Sequence, residues 1–282
     1  FHRCDGSTWQ KTTLAKGSSY SLPGVRDAEG YTFMGWSTKP MQSVSPQYEA
    51  EEKITVNGNV DLYAVVFNRT TETDLTEDQL PQVDIYKYKQ VIFVGDSRTE
   101  FMENVLTGMG ESATKNVKFV CSAGKGLDWF TTTGWAQLYS IVQHDSNSIL
   151  SKKTAVIFNF GVNDLSKSAD YAEYYNWIAP QLKSKGCELY FMSVNPVNRL
   201  MLPNAGRADR SEAAVRSFNQ YMKANLSSAY TYIDMYSYLK STGYSFASDH
   251  YGTGTVDDGL HYTTRTYKRI FAKCMDSLRV PA

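Results

Sequence analysis

Residues 91–97, VIFVGDS, decide the fold of this chain. Four apolar residues precede Gly95, Asp96 and Ser97, a pattern typical of a buried parallel strand that ends in a tight turn. Open α/β folds bind their ligands beyond the carboxyl ends of such strands. We therefore expect Ser97 at the sheet edge where these folds carry their active sites.

Apolar runs of strand length recur along the rest of the chain. The candidate strands are residues 90–95, 117–122, 154–160, 187–194 and 231–235. Amphipathic patterns predict helices at residues 211–226 and 263–278. Strands that alternate with helices favour a parallel sheet with helices on both faces. Residues 90–282 are therefore predicted to form one α/β domain.

The first 67 residues follow a different, β-rich pattern. Short β-prone runs alternate with Gly, Ser and Pro, which are turn residues. The clearest strands are GYTFMGWST at 30–38 and VDLYAVVF at 60–67. Gly35, inside the aromatic strand, predicts a bulge or a close backbone approach. Residues 1–67 are therefore predicted to be a separate β-rich module.

A polar, acidic stretch, NRTTETDLTEDQLPQVD at 68–84, follows this module. Its composition predicts a solvated connector. One short helical turn is expected at Thr76–Leu80, ended by Pro81. We therefore place a linker at residues 68–89.

Composition excludes several classes of function. The chain has 29 basic and 29 acidic residues, so it lacks the basic surface typical of nucleic-acid binding. It contains no run of about 18 apolar residues that would predict a membrane-spanning helix. The four cysteines form no C-x-x-C or metal pattern, and no metal or cofactor is expected. Twenty tyrosines favour either core packing or a sugar-facing surface.

Ser97 is the first candidate for chemistry. A serine hydroxyl is a weak nucleophile that needs a base and a fixed orientation. Where a strand turns into a helix, the backbone N–H of the serine can point towards developing negative charge. Asp96 is expected to brace the turn rather than act as a triad acid, because adjacent residues rarely face each other.

Two further segments offer hydrogen-bond donors at the same predicted edge. CSAGKG at 121–126 follows the second strand of the α/β domain and offers an unhindered backbone N–H at Gly124 or Gly126. In GVND, after the third strand, the Asn163 side-chain amide is suited to donate to an oxyanion. Asp164 is expected to cap the helix that follows.

DGLH, at 258–261, supplies a candidate acid and base. Asp258 and His261 are three residues apart, so a turn or a nascent helix is expected to bring their side chains together. The carboxylate would then fix the imidazole tautomer while the other ring nitrogen faces the serine. His250 is the rival base and Asp257 the rival acid, although the D-x-x-H spacing favours Asp258.

In this order, the four segments resemble those of the SGNH hydrolase family, also called GDSL esterases and lipases. The resemblance covers residues 90–280 and implies a flavodoxin-like, three-layer α/β/α fold with sheet order 2-1-3-4-5. Arg98 stands where GDSL has leucine, which puts a cation beside the candidate nucleophile.

The same resemblance assigns roles to the candidate residues. It implies that Ser97 is the nucleophile and that His261 is the general base, oriented by Asp258. It also implies an oxyanion hole formed by the backbone N–H groups of Ser97 and Gly124 and the side-chain amide of Asn163. No cofactor enters this chemistry.

The N-terminal module resembles the internalin-type B repeat, or Listeria–Bacteroides repeat. The resemblance rests on GYTFMGWST and on ITVNGNVDLYAVV at 54–66. It implies a small β-grasp-like module from a secreted or surface-attached bacterial protein, and no catalysis.

These expectations combine into a secreted or cell-surface bacterial serine esterase. The expected substrate is a small acyl ester, such as an acetyl group on a carbohydrate, with the N-terminal module available for cell-wall or surface association. One alternative is a lipase or thioesterase acting on longer acyl chains, and another is a non-catalytic glycan-binding protein. Trp129, Trp135 and the Tyr-rich stretch 236–251 either line a sugar cleft or simply pack.

Overall fold

The computed structural model of the chain describes residues 1–84, 87–145, 153–202, 209–248 and 257–278. The chain divides into two compact units. The first unit comprises residues 1–73, 195–215 and 236–263, and the second comprises residues 74–194, 216–235 and 264–282. The N-terminal region therefore shares its unit with two later segments of the chain. The linear division into 1–67, 68–89 and 90–282 stays a prediction.

A five-stranded parallel sheet forms the centre of the second unit. Its strands are β5 (Tyr88–Gly95), β6 (Val117–Cys121), β7 (Lys153–Asn159), β8 (Cys187–Met192) and β9 (Tyr230–Ile233), with β1 to β4 lying earlier in the chain. The spatial order is β6-β5-β7-β8-β9, and every adjacent pair is parallel. This is the predicted 2-1-3-4-5 order. Its central strands read as continuous apolar runs because a parallel sheet is buried on both faces.

Helices of the second unit complete the α/β/α architecture. They are α1 (Ser97–Met109), α2 (Leu127–Trp129), α3 (Trp135–Asp145), α4 (Ser168–Lys183), most of α5 (Glu212–Asn225) and α7 (Thr264–Asp276), whereas α6 (Met235–Thr242) belongs to the first unit except for its first residue. On one face of the sheet, the ring of Phe93 in β5 packs 5.8 Å from that of Phe271 in α7. On the other face, Phe158 of β7 packs 4.8 Å from Tyr175 of α4. No helix within the described ranges is long and apolar enough to cross a membrane.

The described part of the first unit contains three two-stranded antiparallel sheets. β1 (Ser18–Ser21) pairs with β3 (Lys53–Val56), β2 (Tyr31–Ser37) with β4 (Tyr63–Asn68), and β10 (Phe246–Ser248) with β11 (Asp257–Tyr262). Leu22, Phe33, Trp36 and Leu62 form a buried cluster inside the N-terminal strands. The predicted strand-rich N-terminal module is therefore confirmed.

Gly35 interrupts β2 in the way its position predicts. The register between β2 and β4 shifts between Phe33 and Gly35, which is a β-bulge. The backbone φ of Gly35 is +139°, and a Cβ there would lie 2.5 Å from the carbonyl oxygen of Tyr48. Both the bulge and the close backbone approach are present, so no residue with a side chain fits this position without strain.

The polar stretch at residues 68–84 is not fully solvated. The prediction that it is a solvated connector is therefore wrong. Glu72, Leu80 and Val83 are all buried. The Glu72 carboxylate accepts a hydrogen bond of 2.5 Å from the Ser245 hydroxyl. The expected helical turn is a short 3-10 helix, Glu77–Gln79. A few apolar residues in a polar stretch are thus enough to bury parts of it.

The four cysteines are free thiols. Cys187 is buried in β8, as its apolar surroundings predict. Cys121 donates a 3.3 Å hydrogen bond to the Glu103 carboxylate, and burial, reinforced by this carboxylate, raises the pKa of its thiol. Cys187 and Cys274 therefore pack in the interior, whereas Cys4 and Cys121 are only partly buried.

Candidate active site

The turn at residues 95–98 places Ser97 at the carboxyl edge of the parallel sheet. α1 begins at Ser97, two residues after the end of β5. Asp96 is the N-cap of α1, and its carboxylate accepts a 3.0 Å hydrogen bond from the Arg98 backbone N–H. Asp96 braces the turn, as expected, and Ser97 begins the helix with its N–H among the groups at the positive end of the helix dipole.

Gly95 makes this strand-to-helix turn sterically feasible. A Cβ at Gly95 would lie 2.0 Å from the Thr99 hydroxyl oxygen and 3.0 Å from the Asn159 backbone oxygen. The Asn159 amide in turn donates a 3.3 Å hydrogen bond to the same threonine hydroxyl. The glycine of the G-D-S motif is therefore a packing requirement, because α1 starts in close contact with the ends of β5 and β7.

The loops that follow β6 and β7 contact each other, and these strands are the two neighbours of β5. The Asn163 amide donates a 2.8 Å hydrogen bond to the carbonyl oxygen of Lys125. Such an amide carries two N–H donors. The structure therefore brings Asn163 to the loop that carries both candidate glycines, at the sheet edge where β5 ends.

Gly124 and Gly126 occupy different environments in that loop. A Cβ at Gly126 would lie 2.3 Å from an Asp164 carboxylate oxygen. Gly124 has a φ of +69° and nothing within 4 Å of its Cβ position. Gly126 therefore serves loop packing, whereas Gly124 gives the chain a left-handed turn with an uncrowded backbone.

Asp164 has a structural role that its sequence position does not reveal. Its carboxylate makes no capping bond to the short helix that follows it, so the predicted cap is wrong. It accepts hydrogen bonds from the Leu127 backbone N–H at 2.9 Å and from the Tyr171 hydroxyl at 2.7 Å. Burial raises the pKa of Asp164, and these hydrogen bonds offset the rise only in part. Asp164 thus ties the two loops together.

Asp258 and His261 are in direct contact in the first unit. The Nδ1 atom of His261 lies 2.6 Å from one Asp258 carboxylate oxygen. The other carboxylate oxygen accepts backbone N–H bonds from Leu260 at 2.8 Å and from His261 at 2.7 Å. Burial alone would raise the pKa of Asp258, but the His261 ring and these backbone donors hold the pKa below its usual range.

This contact arises within a strand and not in the expected turn or nascent helix. Residues 257–262 form β11, where side chains three positions apart would ordinarily point to opposite faces. Gly259 has a φ of +68°, which breaks the alternation and brings Asp258 to His261. The rival base His250 lies outside the described residues, as does the side chain of the rival acid Asp257.

The candidate aromatic residues divide between packing and partial exposure. Tyr244 and Phe246 are buried, with their rings 5.3 Å apart, so this part of the Tyr-rich stretch packs. Trp129 is half-buried and lies 6.0 Å from the ring of Phe160, and Trp135 is half-buried beside Tyr139. Core packing therefore accounts for Tyr244 and Phe246, whereas the two tryptophans keep part of their surface exposed.

The candidate catalytic residues are distributed over both compact units. Ser97, Gly124 and Asn163 belong to the second unit, whereas Asp258 and His261 belong to the first. Sequence reasoning missed Gly95 as a packing residue and Asp164 as a link between loops. For Gly95 the signal was a glycine at a strand end, which does not identify its partner, and no local pattern links Asp164 to Leu127 or Tyr171.

Two family models together match most of the chain. Residues 91–274 match the GDSL-like lipase/acylhydrolase family, and residues 1–65 match the Listeria–Bacteroides repeat domain. No curated protein sequence matches the chain.

Several solved structures resemble it at low identity. A provisionally assigned acylhydrolase from Bacteroides fragilis NCTC 9343 is 16% identical, with 71% of this chain and 92% of that chain covered and a TM-score of 0.46. An acetyl xylan esterase, AlAXEase, is 10% identical, with 67% and 100% covered and a TM-score of 0.44. The C-terminal catalytic domain of peptidoglycan O-acetyltransferase A from Streptococcus pneumoniae is 15% identical, with 68% and 92% covered and a TM-score of 0.41.

The family assignment rests on the family model, which covers the greater part of the chain. It agrees with the parallel sheet and with the serine at the start of α1. The chain belongs to the GDSL-like lipase/acylhydrolase family: it is an ester hydrolase that carries an N-terminal Listeria–Bacteroides repeat domain.

Proposed function

We propose that this ester hydrolase is a secreted or cell-surface bacterial serine esterase that removes small acyl groups, in particular acetyl groups, from carbohydrate. The observation that carries the proposal is the 2.6 Å contact between the Asp258 carboxylate and Nδ1 of His261. An imidazole held at Nδ1 by a carboxylate presents Nε2 to a serine hydroxyl. Ser97, the motif serine of the family, is the proposed nucleophile.

The proposed reaction has two half-reactions. Ser97 Oγ attacks the ester carbonyl carbon while His261 Nε2 accepts the hydroxyl proton, and Asp258 stabilises the imidazolium that results. His261 then gives this proton to the leaving alcohol as the carbon–oxygen ester bond breaks, which leaves an acyl group on Ser97. A water molecule, deprotonated by His261, then attacks the carbonyl carbon of the acyl-enzyme. The bond from this carbon to Ser97 Oγ breaks, His261 returns the proton to Oγ, and the carboxylic acid is released.

Three hydrogen-bond donors support the proposed oxyanion hole. The Ser97 N–H lies in the first turn of α1, where the helix dipole favours negative charge. Gly124 and Asn163 are on the two loops that contact each other beside the end of β5. Removal of one such donor typically lowers kcat by about 10²- to 10³-fold.

Charged and polar contacts in α1, in α2 and in the short helix after β7 support a carbohydrate ester over a long acyl chain. The Glu100 carboxylate accepts a 2.6 Å hydrogen bond from the Ala123 N–H, and Lys167 pairs with Asp128 at 2.9 Å. Sites for drug-sized apolar ligands are mostly lined with hydrophobic and aromatic residues, whereas these contacts join charged and polar groups. These contacts favour the esterase over a lipase or a thioesterase.

A chain-length series with a matched variant tests the proposal. Wild-type protein and Ser97→Ala are assayed with p-nitrophenyl acetate, butyrate and octanoate, and with acetylated xylan and acetylated peptidoglycan. We expect Ser97-dependent turnover that is fastest for acetyl esters and includes at least one acetylated glycan. Fastest turnover of octanoate would instead support a lipase or thioesterase.

The same proteins test the non-catalytic alternative and the surface location. Ser97→Ala with its repeat domain is sedimented with insoluble bacterial cell wall, since the repeat domain supports surface association. We expect cosedimentation together with wild-type turnover. Tight glycan binding by both proteins without any turnover would contradict the esterase.

A further inference from the structure

The strand that carries the proposed acid and base packs directly on Asn198. The Asn198 backbone N–H donates a 2.8 Å hydrogen bond to the carbonyl oxygen of Gly259, which lies between Asp258 and His261 in sequence. A Cβ at Gly259 would lie 2.3 Å from the Asn198 carbonyl oxygen and 2.6 Å from Cβ of Met201. With a φ of +68° as well, only glycine fits there, so the bend of β11 is formed against Asn198.

The side chain of Asn198 reaches the N-terminal repeat domain. Its Nδ2 donates to the Val25 carbonyl oxygen and to an Asp27 carboxylate oxygen, both at 2.9 Å. Its Oδ1 accepts a 3.2 Å bond from the Leu200 N–H. Val25 and Asp27 lie in the loop between β1 and β2. One residue therefore connects the repeat domain to the bend of β11, and all of these contacts lie within the first unit.

Asp27 is a firmly held partner for Asn198. Its side chain is fully buried and pairs with the Arg69 guanidinium at 2.7 Å. It also accepts a 3.0 Å bond from the Phe33 N–H, and Arg69 is fixed in turn by a 2.9 Å bond to the Thr32 hydroxyl. Hydrogen bonds to an ionised carboxylate are stronger than those between neutral groups. The repeat domain therefore gives Asn198 a rigid anchor.

A buried ion cluster also connects the repeat domain to the two later segments of the first unit, residues 195–215 and 236–263. The Lys240 ammonium lies 2.8 Å from the Glu49 carboxylate and 2.7 Å from the Glu212 carboxylate, and it donates a 2.7 Å bond to the Met34 carbonyl oxygen. Glu49 and Met34 belong to the repeat domain, whereas Lys240 and Glu212 belong to the later segments of the first unit. The repeat domain and the segment that carries the dyad thus share one buried interior.

We propose that the repeat domain positions the Asp258–His261 dyad, and that Asn198 is the positioning residue between Asp27 and Gly259. The inference rests on the proposed function, because it assumes that the dyad is catalytic. Asn198 acts through the Gly259 backbone. The bend at Gly259 sets the contact between the His261 ring and the Asp258 carboxylate, and reaction rates depend steeply on such geometry.

The variants are chosen to change one donor without changing shape. Asn198→Asp replaces the side-chain amide, which donates to Asp27, with a carboxylate. This carboxylate repels that of Asp27. Asn176→Asp is the matched control, since Asn176 likewise donates to a backbone carbonyl, that of Asn225, at 2.9 Å and accepts from the Ser227 N–H at 2.8 Å. The control lies in the second unit, beside the turn that leads into the amino end of β9, at the sheet edge opposite Ser97.

Kinetics separate positioning from general destabilisation. Below the melting temperature of each variant, we expect Asn198→Asp to lower kcat by about ten- to a hundredfold with little change in KM, and Asn176→Asp to change neither. In an Asp258→Asn background, Asn198→Asp should have no further effect on kcat, because the two changes act on one contact. An Asn198→Asp effect of the same size in that background would overturn the inference.

Proton NMR examines the dyad without turnover. The proton in the short His261–Asp258 hydrogen bond should resonate downfield of the amide region and is assigned by its loss in His261→Ala. We expect this signal to shift or broaden in Asn198→Asp and to remain unchanged in Asn176→Asp. If Asn198→Asp does not fold, Asn198→Ala removes the same donor without adding charge.

The two proposals fail in different ways. An unchanged signal and a wild-type kcat in both Asn198 variants would overturn the positioning role while Ser97-dependent turnover stands. If the NMR signal depends on Asn198 but ester hydrolysis persists in Ser97→Ala, the proposed mechanism is refuted and the structural link is supported.

Discussion

Asp258 and His261 are joined by a 2.6 Å hydrogen bond inside a strand that Gly259 bends. A regular strand would point these side chains to opposite faces, so the contact depends on one left-handed glycine. The same carboxylate accepts two backbone N–H bonds from its own strand. The pair is therefore preformed, with its orientation fixed by backbone as well as by side chains.

Loss of the carboxylate should reduce turnover without preventing folding. We expect Asp258→Asn to lower kcat by about 10²- to 10⁴-fold, because an amide favours the wrong imidazole tautomer and leaves the imidazolium without its counter-charge. Steady-state assays with p-nitrophenyl acetate measure the change. Wild-type kcat in this variant would show that His261 works without Asp258.

The contribution of Asp258 to stability should disappear in acid. Its pKa is lowered in the folded state from a reference value of 3.8, so ionised Asp258 stabilises the fold above that pH. The difference in unfolding free energy between wild type and Asp258→Asn should shrink as the pH falls below this reference value. Urea denaturation at a series of pH values measures it, and a difference that grew in acid would contradict the account.

The Asn163 amide should matter for rate more than for binding. We expect Asn163→Ala to lower kcat by about 10²- to 10³-fold with little change in KM, since an oxyanion donor acts mainly in the transition state. Asn176→Ala is the control, because it removes an amide of similar exposure at the other edge of the sheet. Equal kinetics for the two variants would exclude Asn163 from the oxyanion hole.

The two loop glycines should respond differently to alanine. Gly126→Ala places a methyl group 2.3 Å from the Asp164 carboxylate, so it should separate the loops and lower both the melting temperature and kcat. Gly124→Ala meets open space and only the left-handed φ opposes it, at a cost of about 1–2 kcal/mol. Because alanine keeps the backbone N–H, kcat should change little. Thermal melts and kinetics of both variants test this difference. Larger losses in Gly124→Ala than in Gly126→Ala would contradict it.

The buried ion cluster should be sensitive to removal of its cation. We expect Lys240→Met to lower the unfolding free energy by about 3–5 kcal/mol, because Glu49 and Glu212 lose their shared cation while buried. Lys183→Met removes a partly exposed ion pair with Glu188 and should cost no more than about 1 kcal/mol. Urea denaturation compares them, and similar losses would show that burial of the cluster is unimportant.

Patterns within single segments of the sequence predicted those features of the fold that depend on residues close together in the chain. The apolar run ending at Gly95 identified β5 and the start of α1, and the glycine inside β2 predicted the bulge at Gly35. The order of the parallel strands followed from the family resemblance and is found in the sheet.

The remaining features depend on contacts between residues far apart in the chain. Gly126 fits against Asp164, and Asn198 joins Asp27 to Gly259, through pairings that no single segment encodes. The contact of Asp258 with His261 was expected, but not that a bent strand would form it. The bend requires a positive φ at Gly259, which depends on the neighbouring Asn198 backbone.

Covalent labelling tests the central claim, that His261 activates Ser97 as the nucleophile. Phenylmethylsulfonyl fluoride transfers its sulfonyl group to an activated serine and releases fluoride. Wild type and His261→Ala are incubated with the reagent, and the modified peptide and its rate of formation are measured by mass spectrometry. The account predicts a single adduct on Ser97 in wild type, formed at least about a hundredfold more slowly in His261→Ala. Labelling of a different residue, or equal rates of Ser97 labelling in the two proteins, would contradict it.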